Sequence, residues 1–365
     1  MNILVVSNMY PDKNHPSYGI FVKKFCEQLK NTEINVDKCV LLKNNSKFYK
    51  IINYAIFYIK TLNKILFSNY DIIYVHYPSF SGAPVLWASK IKKITVYSNL
   101  HGSDVVPETI YHKKMQKYTI QLLKLSSKII VPSEYFKEYV TEKYDLNKYK
   151  IFVYPSGGIN PKIFYKKDSS FKQKLIKKYS FKKETVIFGM AGRISTDKGW
   201  DVFIKAIDIL VKNGIKANYL IIGDGTEKDK MDELIEKKNL KKEIVWLQRL
   251  ISQKELSEFY SGIDYLVFPT KREGESLGLV AIESMACGTP VIASDYAAPK
   301  YYIKNGENGF KFTMGDANSL AETMVKGISY YTDKRINKLK NGACKTAKNY
   351  LVENIKDSLV EILQK

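Results

Sequence analysis

The sequence predicts an α/β protein made of two doubly wound parallel sheets, and three observations carry that prediction. Short β-branched runs alternate with helical stretches along the whole chain. A proline- and glycine-rich segment, YPSGGINPKIF (154–164), interrupts the rhythm once, and the alternation restarts beyond it. Uninterrupted apolar runs belong to strands buried on both faces of a parallel sheet, whereas half-exposed strands alternate apolar and polar residues. A length of 365 residues also favours two hydrophobic cores over one.

Before the break, NILVVS (2–7), VDKCVLL (36–42), DIIYVHY (71–77), ITVYSNLH (94–101), KIIVPS (128–133) and KIFVYPS (150–156) read as strands. After it come TVIFGMAG (185–192), YLIIGDG (219–225), IVWLQ (244–248), YLVFPT (265–270) and PVIAS (290–294). The expected domains are 1–160 and 161–345, with a last helix over about 346–365 packing back on the first. Two such domains are expected to face across a deep cleft, with ligands beyond the carboxyl ends of the strands.

Composition is that of an ordinary globular protein, 45% hydrophobic, without repeats or low-complexity tracts. The N-terminus lacks the basic leader and long apolar core of a signal peptide. The most apolar segment (47–67) is broken by Lys50, Lys60 and Lys64, which makes it a poor membrane span. Cys26, Cys39, Cys287 and Cys344 are too scattered for a metal site and fit a reduced, cytoplasmic protein. Net charge is +21; residues 1–165 carry 23 Lys and Arg against 11 Asp and Glu, or +12, leaving +9 for the rest. Such a balance points to an anionic partner or to a lysine-rich composition overall.

Three loops after strands carry the chemistry. GRISTDKG (192–199) places Arg193 and Lys198 between a strand and a helix, where a guanidinium and an ammonium suit a diphosphate; a solvated turn is the alternative. The GDG triplet sets Gly223 and Gly225 where backbone can approach a ligand, with Asp224 accepting a hydroxyl or holding a turn. KREGESLGLVAIESMACGTP (271–290) leaves YLVFPT, passes Glu273 and Glu275, and enters a helix that contains Glu283 in an apolar run. A buried carboxylate is costly without a partner. Glu283 can therefore receive a pair of hydroxyls, as from a ribose, or pair with a lysine.

The run ESLGLVAIE, with two glutamates separated by seven residues and followed by SMACGTPVIAS, resembles the signature of glycosyltransferase family 4, retaining enzymes of the GT-B fold that use nucleotide sugars. The resemblance spans nearly the whole chain. SNMYPDKNHPSYGIFV resembles the family's first strand and glycine loop, NLHGSD its histidine motif, VPS (131–133) a later strand end, and YPSGGIN its hinge, with Asn160 where Asp is usual. GRISTDKG resembles its Arg and Lys pair, and ENGFKF (307–312) its last strand.

The resemblance implies that domain 1–160 binds the acceptor and domain 161–345 the nucleotide sugar. Arg193 and Lys198 would hold the diphosphate and Glu283 the ribose. Glu275 would contact the donor sugar with backbone N–H groups of Ser276, Leu277, Gly278 and Leu279. Gln248, Arg249 and Leu250 would lie against the base. Gly19 would let the first loop approach the phosphates, and His101, with Asp104 near it, would face the reacting sugar without acting as a general base. No Asp-x-Asp metal loop is present, so protein cations are expected in place of a metal, with no cofactor.

The implied reaction moves a hexose from a UDP- or GDP-sugar to a glycan or polyprenyl-diphosphate-linked acceptor in bacterial surface polysaccharide synthesis (capsule, O-antigen or exopolysaccharide). Segments 46–67 and 111–128 are basic, aromatic and amphipathic, which fits peripheral contact with the anionic inner face of the plasma membrane, or simple packing on the sheet. Two other functions compete with this one. A nucleotide-sugar epimerase or hydrolase of GT-B-like fold needs an added acid–base set near the sugar. A basic nucleic-acid-binding protein is disfavoured by the acids Glu275 and Glu283 at the expected ligand edge.

Overall fold

The computed structural model describes residues 1–16, 18–44 and 46–364. The chain divides into two compact units: Met1–Gly158 together with the chain from Ile355 onward, and Ile159–Asn354. In the first unit β1 (Asn2–Tyr10), α1 (Ile20–Gln28), β2 (Asn35–Leu42), α2 (Lys47–Phe67), β3 (Ile72–His76) and α3 (Pro78–Ser89) lead to β4 (Val96–Asn99), α4 (Ile110–Leu125), β5 (Lys128–Val131), α5 (Glu134–Tyr144) and β6 (Ile151–Val153). All pairings are parallel, in the order β2-β1-β3-β4-β5-β6, with Val5 opposite Lys38 on one side and Tyr74 on the other.

The second unit runs α6 (Ser170–Tyr179), β7 (Ile187–Ala191), α7 (Trp200–Lys212), β8 (Asn218–Ile222), α8 (Lys228–Lys237), β9 (Ile244–Leu247), α9 (Gln253–Gly262) and β10 (Tyr265–Phe268). It continues through α10 (Leu279–Ala286), β11 (Val291–Ser294), α11 (Pro299–Tyr302), β12 (Gly309–Phe312), α12 (Ala317–Thr332) and α13 (Ile336–Lys348). Its parallel sheet has the order β12-β11-β10-β7-β8-β9. The final helix, α14 (Val352–Gln364), sends Leu359, Ile362 and Leu363 into the first unit's core beside Ile3, Val5 and Tyr74.

Both sheets are covered on both faces, which explains the uninterrupted apolar runs. In β1, Ile3 and Val5 face α1 and α14, while Leu4 and Val6 face α2, α3 and α4. Each run read as a strand is one, and ENGFKF supplies β12. Strand order differs between the units: one strand lies outside the first strand of its unit in the first sheet, and two do in the second. The winding direction therefore reverses between β1 and β3 in one unit, and between β7 and β10 in the other. Such reversal points open a crevice at the carboxyl edge of a sheet.

Candidate functional site

At the reversal point of the second sheet, the loops after β7 and β10 are locked together. The first ends in a short turn, Thr196–Lys198, and then Gly199, which caps α7 with φ +69°. A Cβ on Gly199 would stand 1.8 Å from the Pro269 carbonyl oxygen, so only glycine lets the two backbones meet there. Lys271 N–H donates to Asp197 O (2.8 Å), and the Lys271 ammonium reaches Asp201 (2.8 Å). Arg272 Nε lies 3.7 Å from the Asp197 carboxylate.

These contacts bring together two residues that the sequence assigned to different parts of a ligand. Lys198 Nζ donates to Glu275 Oε2 at 2.5 Å, and both side chains are largely buried. Thr270 Oγ1 lies 3.4 Å from the same oxygen. The pair is thus a partly desolvated ion pair, in which each charge is stable only while it has a counter-charge. Glu275 thus takes Lys198 as its counter-ion. Arg193, on the same loop, is exposed and makes no ion pair among the described residues.

On the other side of β7, the loop after β8 presses on the loop after β7. Positions for a Cβ on Gly223 and Gly225 lie 1.9 Å from Gly192 O and 2.2 Å from Ile194 O. On the Cβ side of these glycines the space is filled by protein backbone. Asp224 holds the turn by accepting from Gly225 N (2.8 Å), and Trp246 Nε1 donates to Gly223 O (3.0 Å). Arg249 is exposed and paired with Glu255 (2.8 Å), whose carboxyl is held down at about 2 chiefly by that guanidinium. Leu250 is 77% exposed. Leu247, Arg249 and Ile251 also line a cavity of about 230 Å³ bounded by Tyr179 and Phe259.

Gly278 caps α10 and accepts from Ala281 N–H (2.9 Å), while the N–H groups of Leu279 and Val280 have no intrahelical partner. Ser276 and buried Leu277 precede it, and Leu279 opens it. The helix is shorter than the apolar run suggested, so Glu283 sits one turn in, four residues after Leu279 and on the same face. Its carboxylate is 9% exposed and accepts from the Tyr260 hydroxyl of α9 (3.4 Å). Burial, and then the Glu283 charge, push the Tyr260 hydroxyl well above its usual range. Tyr260 carried no sequence signal, since Glu283 lies 23 residues away in the chain.

In the first unit, Gly19 opens α1 against the Met9 backbone. His101 follows β4, and its Nε2 is 3.0 Å from His76 Nδ1 at the end of β3. The His101 ring is enclosed by Phe21 (centroids 4.0 Å), His76 (5.2 Å) and Tyr77 (5.7 Å). Burial lowers its pKa to about 3 and that of His76 well below normal, so both rings are neutral at pH 7. His76 was missed, although DIIYVHY ends on a histidine as ITVYSNLH does. Asp104 points inward, fully buried, accepting from His101 N (3.0 Å) and Gly102 N (2.8 Å). Burial raises its pKa to about 6 against those hydrogen bonds. It shapes the histidine turn.

Two doubly wound units, each with a parallel six-stranded sheet, are the architecture of the GT-B fold. Family models agree: residues 171–343 match Glycosyl transferases group 1, and residues 21–158 match Glycosyltransferase Family 4. An uncharacterized glycosyltransferase of Methanocaldococcus jannaschii is 28% identical over 90% of each chain. The capsular polysaccharide biosynthesis glycosyltransferase CapM of Staphylococcus aureus is 31% identical over 55% of this chain and 52% of its own. HepE of Anabaena, solved with UDP, superposes with a TM-score of 0.80 at 18% identity, over 100% of this chain and 99% of its own. The chain is a glycosyltransferase family 4-like protein of the GT-B fold.

Proposed function

We propose that the chain is a retaining hexosyltransferase. It moves a hexose from a UDP-sugar, or a GDP-sugar, to a glycan or polyprenyl-diphosphate-linked acceptor during assembly of a bacterial surface polysaccharide, at the inner face of the plasma membrane. The observation that carries this reading is the Lys198–Glu275 pair beside exposed Arg193. A diphosphate arriving there exchanges one anion for another at Lys198, and Arg193 forks its oxygens. Glu275, released, accepts from hydroxyls of the donor sugar, with backbone N–H groups at Ser276–Leu279 beside it. Glu283 takes the ribose hydroxyls, and Arg249 and Leu250 flank the base.

In the transfer, the bond from the anomeric carbon to the β-phosphate oxygen breaks as the acceptor oxygen bonds to the same face of that carbon. The acceptor's proton passes to the departing phosphate oxygen. Arg193 and Lys198 stabilise the charge that develops on the diphosphate, so no metal is assigned a role. His101, whose basicity burial has removed, positions the sugar by hydrogen bonding. Support for the pathway comes from the likeness to CapM of the capsule pathway, and support for the donor from HepE, which was solved with UDP.

The test is incubation of the full chain with a panel of UDP- and GDP-hexoses, following nucleotide release and the anomeric configuration of the product by NMR. One donor is expected to release its nucleoside diphosphate and to give a product of unchanged configuration. An inverted product, or no release from any donor, contradicts the proposal.

A further inference from the structure

Helix α2 is apolar on two sides. Phe57 and Ile65 pack into the first unit's core, and a surface helix of this kind ordinarily turns polar residues outward. Here the outward stripe is Phe48, Ile52, Ile56 and Ile59, at helical spacing and 69%, 38%, 44% and 60% exposed. Exposed Lys50 and Lys60 flank it, and neither α2 nor α4 contains an aspartate or glutamate. After exposed Glu108, α4 opens with Ile110 and Tyr111, 69% and 74% exposed, and continues with exposed Lys113, Lys114 and Lys117. Helices α2, α3 and α4 cover the same face of the sheet. The ring of Phe80, near the start of α3, lies between Tyr54 of α2 (6.5 Å) and His112 of α4 (5.7 Å). Each helix follows a parallel strand, so all three begin at the carboxyl edge that carries His76 and His101.

We infer that the outer face of α2 and the start of α4 form a docking surface for an anionic lipid bilayer. The apolar stripe enters the headgroup–acyl boundary and the lysines lie among the lipid phosphates. Charge selects this occupant, because a second copy of the chain on the same surface would set lysines against lysines. Among the described residues no helix is long and apolar enough to cross a membrane, so the helix lies on the bilayer. The surface would hold the carboxyl edge of the first sheet near a membrane-held acceptor; that last step rests on the transferase reading, whereas the docking itself does not.

The experiment is flotation of the full chain with vesicles of phosphatidylcholine alone, or containing about one third phosphatidylglycerol, alongside calorimetric titration of UDP. The wild type is expected to float with the anionic vesicles only. Ile52→Glu with Ile59→Glu should cut the bound fraction about ten-fold, while Lys113→Gln, Lys114→Gln and Lys117→Gln together should remove most of its salt sensitivity. Thermal melting and UDP affinity are expected to stay as in the wild type, because these side chains are exposed. Equal flotation of wild type and the Ile52→Glu, Ile59→Glu variant overturns the inference, as does equal binding to neutral vesicles. A wild-type dimer that this variant splits, with no vesicle binding, also overturns it. Failure of UDP to bind the wild type counts against the transferase reading alone.

Discussion

Lys198 Nζ stands 2.5 Å from Glu275 Oε2, across the line where the strand order of the second sheet reverses. Without a ligand, each side chain supplies the counter-charge the other needs. On the proposed reading, a diphosphate and Glu275 compete for one ammonium. Glu275→Gln removes the competitor and a contact to the donor sugar together. We expect UDP to bind this variant at least as tightly as the wild type, while transfer falls by about 10² or more, since a group acting on the reacting sugar is lost. Calorimetry and initial rates on the same preparation check this; parallel losses of affinity and rate would refute the competition.

Glu283 offers a second separation. Its buried carboxylate accepts from the Tyr260 hydroxyl, and on the proposed reading it also takes the ribose hydroxyls. Glu283→Ala should weaken nucleotide binding about a hundred-fold and abolish transfer. Tyr260→Phe, which removes one hydrogen bond, should weaken binding only a few-fold. Isothermal titration with UDP distinguishes them, and equal effects of the two changes would exclude a direct role for Glu283.

Gly199 tests whether the loop contacts hold the site. Its φ of +69° and the Pro269 oxygen at 1.8 Å leave no room for a methyl group. Gly199→Ala should destabilise the protein by roughly 2 kcal/mol or more and separate Lys198 from Glu275. Chemical denaturation measures the first effect, and reduced UDP affinity at temperatures where the variant is folded measures the second.

The first unit should lose stability on acidification. The pKa of His101 is lowered from 6.5 to about 3, and that of His76 also falls well below normal. Their neutral forms therefore contribute stability that is complete above pH 6.5 and is lost as pH falls toward their folded values. Asp104 opposes this: its pKa is raised from 3.8 to about 6, so its contribution grows as pH falls from 6 to 3.8. Two histidines outweigh one aspartate, giving a net loss of order 1 kcal/mol per pH unit between pH 6 and 5. Denaturant midpoints across that range check the slope, and His76→Gln should flatten it. A midpoint that rises on acidification would contradict the burial of the two rings.

Much of the fold was legible because strands buried on both faces announce themselves as apolar runs, as NILVVS and YLVFPT do. Strand order was not, since no periodicity in the sequence states which strand neighbours which. The motif loops were legible at the carboxyl ends of their strands, but the partners within them were not. Lys198 and Glu275 lie 77 residues apart, and nothing in either loop says that they meet. Nor does the sequence say that Gly223 and Gly225 pack on the backbone of Gly192 and Ile194. His76 was missed, and the inward turn of Asp104 was not legible, for a related reason: a turn's inward and outward faces are set by tertiary contacts such as those of Gln116 and Thr119 with Asp104 O.

The central claim is that fixed side-chain cations of the second unit grip a nucleoside diphosphate. Titration calorimetry of UDP and GDP into the full chain, wild type and Lys198→Ala, tests it most directly, with circular dichroism confirming that both are folded. The account predicts saturable binding of at least one nucleotide to the wild type, and an affinity at least ten-fold lower for the variant. No binding of either nucleotide to folded wild type, or equal affinity in the two proteins, would contradict it.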